Sequence, residues 1–384
     1  MNILLYDIGS YTQKDLIYFL QKQGCNCRNI PYKLKDIYHD DFFEKKFKEQ
    51  LRASDYDFVM STNFSPLVAK ICFEQQIKYI SWVYDSPINT DCIEYYQFPT
   101  SYIFLFDRIE AERITHLGGI HIYHMPLAVN FDRLSKIKIT AKDRETYKCD
   151  VSFVGNFYQN PLKQIMALLN DYDKGYIDAI INAQLMVYGY NFVEEMISDE
   201  RVAQMNESIR SHGYKGEGLT KRGLLFTINK LITRAERITL LQMLGQSYKL
   251  FYYSGEQPDL LSGLPYKGTA YYFSEIPKIF RLSMLNLNPT LKSIQSGIPL
   301  RALDILGCGG ALLSNFQPEL AEYFTDGEDV IMYDSIEDAL CKADYYLKHD
   351  NLRCDLAQKG LQKAITFFSY PDKISSMLKT AGIL

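Results

Sequence analysis

Residues 284–315, MLNLNPTLKSIQSGIPLRALDILGCGGALLSN, carry the residue types and spacing that suit holding an anion. MLNLN is a short apolar strand closed by Asn-Pro, where proline removes a ladder donor. Ser296 and Gly297 open a loop that turns into a helix, with Pro299 near its first position and a Gly pair at its exit. The first N–H groups of such a helix have no partner of their own, so Gly297 and Ile298 can offer backbone donors to an anion. Arg301 and Asp304 are three residues apart and share one helix face. The competing account is an exposed Arg301–Asp304 pair worth a few tenths of a kcal/mol, roughly the value of any surface pair.

A second set of candidates lies at the ends of apolar runs in the first 130 residues. WVYDSP puts Asp85 at the carboxyl end of a strand, where an open α/β sheet faces its ligand and where a carboxylate can serve as a general base. Asp-Ser-Pro is also a common turn and helix-start sequence, and that reading stands beside the catalytic one. Asn63 and Asp107 occupy comparable strand ends, and NILLYD closes at Asp7 before Gly9 and Ser10. His121 and His124 lie on a strand-like run, where that spacing sends them to opposite faces, so no metal site is expected from them.

The elements that must position these residues alternate in type. NILLYD, CNCRNIPY, DYDFVMST, KYISWVYD, SYIFLFD and IHIYHMP read as strands, separated by helical periodicities such as TQKDLIYFLQKQG. Strands spaced by helices imply a parallel sheet covered on both faces, here a Rossmann-like domain of about six strands. PLAVN and the polar run RLSKIKITAKDRETYK read as a connection. A second strand-helix series starts with DVSFVGN, followed by a long helical region at roughly 161–244 interrupted by the strand-like QLMVYGY. YKLFYYSG, the 284–315 stretch and EDVIMYD supply further strands, and EDALCKADYYLKHD and PDKISSMLKTAG the final helices.

Composition narrows the class. The chain has 384 residues, enough for two domains with separate cores, and is 47% hydrophobic and 23% charged. A net charge of −4 argues against a nucleic-acid partner. Eight scattered cysteines without a CxxC pair favour reduced thiols over zinc or disulfides. No run approaches the roughly 20 apolar residues of a membrane span, and a cytoplasmic protein without a transmembrane segment is expected.

SGIPLRALDILGCGGALLSN followed by ELAEYFTDGEDVIMYDSIEDAL resembles the sugar-nucleotide half of GT-B glycosyltransferases, in particular the CgeB-like (spore-maturation type) group 1 family. STNFSP, SWVYDSP and FLFD resemble the domain of unknown function that often precedes that half. The resemblance implies an α/β GT-B fold, two Rossmann-like doubly wound domains facing across a cleft. The acceptor domain would span 1–130 and the nucleotide-sugar domain 149–370, with a helix at about 371–384 packing back on the first.

It further implies Gly155 and Asn156 beside the donor phosphates, although a plain Gly-Asn turn accounts for them too. Gly297, Ile298 and Arg301 would meet the pyrophosphate, and Asp304 the ribose. Lys267, Tyr271 and Tyr272, in PYKGTAYYFSEIP, would edge the base; with 30 tyrosines in the chain, ordinary packing competes for these two. In the broader retaining families an E-x(7)-E motif would put its first Glu, which meets the donor sugar, at Ser296. Gly9, Ser10, Asn63 and Asp107 would line the acceptor side. Catalysis would rest on Asp85, Arg301 and Asp304. The expected activity is metal-independent, cofactor-free transfer of a hexosyl-type sugar from a nucleotide-diphosphate donor, UDP-sugar first, to a hydroxyl of a sugar, protein or lipid-linked acceptor. A GT-B nucleotide-sugar 2-epimerase and a non-catalytic partner subunit are the alternatives.

Overall fold

A computed structural model describes residues 1–88, 90 and 92–384. These divide into two compact units, one of residues 1–135, 296–303 and 364–384 and the other of residues 136–295 and 304–363. The stretch Ser296–Leu303 thus groups with the first unit, and the division falls inside the helix Leu300–Gly307.

The first unit is built on six parallel strands: β1 (Asn2–Asp7), β2 (Asn26–Pro31), β3 (Phe58–Thr62), β4 (Tyr79–Val83), β5 (Ser101–Leu105) and β6 (Ile122–His124). Their order is β2-β1-β3-β4-β5-β6. Every residue of β3 and β4 is buried, as befits central strands covered on both faces. Strand alternation sends Leu4, Tyr6 and Val59 to a core with Phe43, Phe47, Leu67 and Ile71 of the helices Asp41–Ala53 and Pro66–Glu74. The terminal helix Tyr370–Thr380 belongs to this unit, with Tyr370 stacked on Phe19 (5.0 Å) and met edge-on by Trp82 (5.6 Å).

The second unit carries β7 (Cys149–Val154), β8 (Leu250–Tyr253), β9 (Ser283–Asn288), β10 (Leu312–Asn315) and β11 (Ile331–Tyr333), all parallel, in the order β11-β10-β9-β7-β8. In each sheet the chain steps one way and then the other, between β1 and β3 and between β7 and β9. Such switch points leave a crevice at the strands' carboxyl ends.

Residues 155–249 join β7 to β8, far more than one crossover helix needs. They build a helical insertion with a core of its own, including Ile177, Ile180, Val202, Met205, Ile209, Leu224 and Ile228. The 27-residue helix Lys221–Ser247, about 40 Å long at 1.5 Å per residue, serves both cores. Its first half lies in the insertion, and Ile238, Leu241 and Leu244 of its second half pack on the sheet.

QLMVYGY is not a strand: Gln184 and Leu185 end the helix Asp171–Leu185, and the rest is irregular. The Gln184 side chain explains why. Its amide donates to the carbonyls of Val187 and Tyr190, and its carbonyl accepts from Phe192 N–H, which ties the segment into a local loop. No helix among the described residues is long and apolar enough to cross a membrane.

Candidate functional site

At the switch point of the first unit, Gly9 adopts φ +90 and donates its N–H to Asp7 Oδ1 (2.8 Å), a turn that a side chain would strain. Ser10 Oγ shares a hydrogen bond with Thr12 Oγ1 (2.7 Å). Behind this turn a polar chain crosses three strands. Thr62 Oγ1 donates to Gln13 Oε1, Gln13 Nε2 to Asn29 Oδ1, and Asn29 Nδ2 to Asp7 Oδ2, all at 3.0–3.1 Å. In the sequence Gln13 reads as an ordinary polar helix residue.

Asn63 follows β3 in the left-handed region, φ +68, which asparagine tolerates better than most residues. Its side chain shapes the end of β4. Oδ1 accepts from the N–H groups of Tyr84 (2.6 Å) and Asp85 (3.2 Å), and Nδ2 donates to Asp85 Oδ2 (2.7 Å). Asp85 keeps an open face, yet the atoms crowding it raise its carboxyl above the ordinary range, with the Asn63 hydrogen bond pulling the other way. A carboxylate oriented from behind and open in front is arranged to accept a proton.

Asp107 differs from Asn63 and Asp85 in being 1% exposed. It stands at the N-cap position of the helix Arg108–His116 but makes no capping hydrogen bond with its side chain. Its carboxylate instead accepts from Ser86 Oγ (2.7 Å) on one oxygen, and from Ser296 N–H (3.1 Å) and Ser296 Oγ (2.8 Å) on the other. The capping role passes to Ser296, whose Oγ accepts from Ile109 N–H (3.2 Å). Gly297 completes the approach: a Cβ there would fall 2.8 Å from the carbonyl oxygen of Phe106. Ser296 and Asp107, expected on donor and acceptor sides respectively, are brought together and occupy each other.

The helix head after Ser296 remains open. The amide N–H groups of Gly297, Ile298 and Leu300 take no partner among the described residues. Arg301 is the second residue of that helix, and Asp304, 7% exposed, accepts from Tyr272 Oη at 2.9 Å. Tyr272 and Asp304 are therefore brought together within the second unit. Tyr271 presents an exposed ring beside Phe273 (6.2 Å). The Lys267 ammonium lies 4.1 Å from the Phe251 ring centre, a packing contact that accounts for it without a ligand.

At the switch point of the second unit, Gly155 N–H donates to Tyr253 O, and Asn156 exposes its side chain. Arg237, 7% exposed, donates two N–H groups to Pro289 O (2.6 and 3.1 Å) and another to Asn156 O, holding the ends of β7 and β9 together. The amides of Asn156, Phe157 and Tyr158 take no partner among the described residues, and Tyr158 adopts φ +55. They border a cavity of about 350 Å³ lined by Asn156, Tyr158, Gln159, Lys230, Gly255 and Glu256. Lys230 has no carboxylate within ion-pair distance among the described residues, and its ammonium lies 4.0 Å from the Phe226 ring centre. Open amides beside such a cation are groups that can receive an anion; Glu256, which lines the same cavity, is paired with Arg234 at 2.6 Å. Lys230 and Arg237 carried no local signal in the sequence, because they sit inside a long helix whose pattern is that of packing.

Residues 237–379 match the family model described as glycosyl transferase-like. No curated protein matches the chain. Among solved structures, sucrose-phosphate synthase from Thermosynechococcus elongatus superposes with TM-score 0.60 at 9% identity, covering 99% of this chain and 98% of that one. HepE from Anabaena, in complex with UDP-glucose, gives 0.58 at 8% identity and covers 100% of both chains. A glycosyltransferase from Rickettsia africae gives 0.55 at 9% identity, covering 99% and 98%. At such identities these likenesses speak for the fold, and the family match speaks for the class. The chain is a glycosyltransferase on a two-domain, Rossmann-like GT-B fold.

Proposed function

We propose that the protein transfers a sugar from a nucleoside-diphosphate donor, UDP-sugar first, to a hydroxyl acceptor, and that it falls in the spore-maturation type of this glycosyltransferase class. The observation that carries the reading is the open helix head: free amides at Gly297, Ile298 and Leu300, leading into Arg301 and Asp304. In the donor reading these groups and Arg301 meet the diphosphate, and Asp304, oriented by Tyr272, accepts from the ribose hydroxyls. Within the second unit, the open amides of residues 156–158 beside Lys230 are a separate set of groups suited to an anion.

In the reaction the acceptor oxygen attacks C1 of the donor sugar, and the bond from C1 to the diphosphate oxygen breaks. The nucleoside diphosphate leaves with the negative charge, which amides and cations stabilise without a divalent ion. The acceptor proton passes to Asp85, whose free carboxylate oxygen is its acceptor. UDP is the ligand named in the HepE complexes, and UDP-glucose is accordingly the first donor to test.

Titration calorimetry with UDP, GDP, ADP and CMP tests the donor site. A clear preference for UDP is expected; binding of none of the four overturns the reading.

A further inference from the structure

We propose that Asp107 is a positioning residue for transfer: one buried carboxylate that fixes the base-bearing turn and the anion-binding loop in a single register. The proposal rests on the reading of Asp85 above and goes beyond it.

Three observations carry it. Asp107 holds Ser86, the residue after Asp85, through one oxygen, and Ser296, the residue before Gly297, through the other. All three residues are at least nine-tenths buried, with exposures of 1% for Asp107, 7% for Ser86 and 4% for Ser296. The two hydroxyl hydrogen bonds, at 2.7 and 2.8 Å, are sheltered from water by that burial. Asp107 also gives up the ordinary duty of its position: at a helix N-cap, a carboxylate normally accepts from the first-turn amides. Here Ser296, far along the chain, takes that duty through Ile109 N–H. The loop is thus a cap supplied from a remote segment, and the Asp107 carboxylate ties that cap to the Asp85 turn.

Apolar or merely shape-filling residues would pack this junction equally well. What the carboxylate adds is a fixed relation between two loops, so that a shift of one moves the other. Ser296 stands where the E-x(7)-E families carry a glutamate, and in this chain that position belongs to the bracket.

The test uses the full chain with Ser86→Ala, Ser296→Ala, both together, and Asp107→Asn. Hydrogen-exchange mass spectrometry reads the coupling without any need for an acceptor. Ser86→Ala should raise exchange of the amides at 296–298, and Ser296→Ala that of the amides at 84–88. Changes confined to each substituted loop overturn the bracket. UDP release from UDP-glucose, with water as acceptor, reads the catalytic consequence. Each single variant should lose about tenfold in kcat and the pair about the same, because residues acting through one partner are not additive. UDP affinity by calorimetry should stay within about threefold. A pair that loses the product of the single effects, or losses that follow thermal stability alone, also overturns it.

Asp107→Asn should match the pair, since an amide cannot accept from Ser86 and from both Ser296 donors. If that variant does not fold, the serine variants decide. Absence of any turnover by the unaltered chain counts against the proposed transfer, and the exchange result then judges the bracket by itself.

Discussion

Asn63 and Asp85, both read from the sequence as strand ends, become a directed pair in the fold. The left-handed backbone at Asn63 lets one side chain organise two amides and a carboxylate, and Asp85 is left with one oxygen held and one open. Asp85→Asn should keep UDP binding while UDP release from UDP-glucose falls by about 10²–10⁴-fold. Full activity in that variant would remove Asp85 as base and favour a retaining route in which the leaving phosphate takes the proton. The base must be ionised to act, and its carboxyl is raised by crowding, so the acid limb of the kcat/KM profile should lie above the ordinary aspartate range. Asn63→Ala removes a hydrogen bond that favours the charged form, and the limb should move to still higher pH. A limb that stays or falls would contradict this. Arg301→Ala should weaken UDP by about 1.5–3 kcal/mol, as charge-assisted contacts do, with little change in melting temperature; equal losses in both would indicate a structural role.

Between residue and fold stand the connecting elements, and here the insertion matters most. Its loop grips the segment that leads to the helix Leu300–Gly307. Asn191 Nδ2 donates to Lys292 O (2.6 Å), the Lys292 ammonium lies 4.2 Å from the Tyr188 ring centre, and it pairs with Glu236 at 3.0 Å. Glu236 is fully buried and also accepts from Tyr333 Oη (3.1 Å). Removing one member of such a pair strands a charge, so Glu236→Ala should cost about 3–5 kcal/mol in urea unfolding. Replacing both, Glu236→Leu with Lys292→Met, should recover most of that loss. A double variant as unstable as the single would show that the tyrosine contacts, not the charge balance, hold the junction. Gly297→Ala tests the other approach: its Cβ meets backbone at Phe106, and the loop must shift at a cost of about 1–3 kcal/mol.

For the whole molecule, two parallel sheets each offer a switch-point crevice, with Asp7 in the turn at the first and Lys230, Arg237 and the open amides of residues 156–158 near the second. If, as proposed, fixed cations and dipoles carry the leaving charge, exhaustive dialysis against EDTA should leave UDP-glucose turnover within about twofold. Activity lost on dialysis and restored by Mn²⁺ or Mg²⁺ would reverse that expectation. The final helix, Tyr370–Thr380, is a component of the first unit's core through Tyr370, so a chain ending at residue 369 should lose solubility or melt well below the full chain.

What the chain determined locally was legible in its sequence. Apolar runs such as FVMST and YISWV, and the helical periods between runs, follow from burial on both faces of a parallel sheet. The Gly297 loop and the Arg301–Asp304 helix face follow from backbone geometry within a few residues. QLMVYGY marks the limit even locally, because a side-chain amide, not the apolar run, settled its backbone. Tertiary structure alone decided which side chains meet across long stretches of chain. Ser296 and Asp107, 189 residues apart, cap and bracket each other; Lys230 and Arg237 reach loops that end strands distant in sequence. A helix residue that packs and one that binds obey the same periodicity, and only the element laid against it tells them apart.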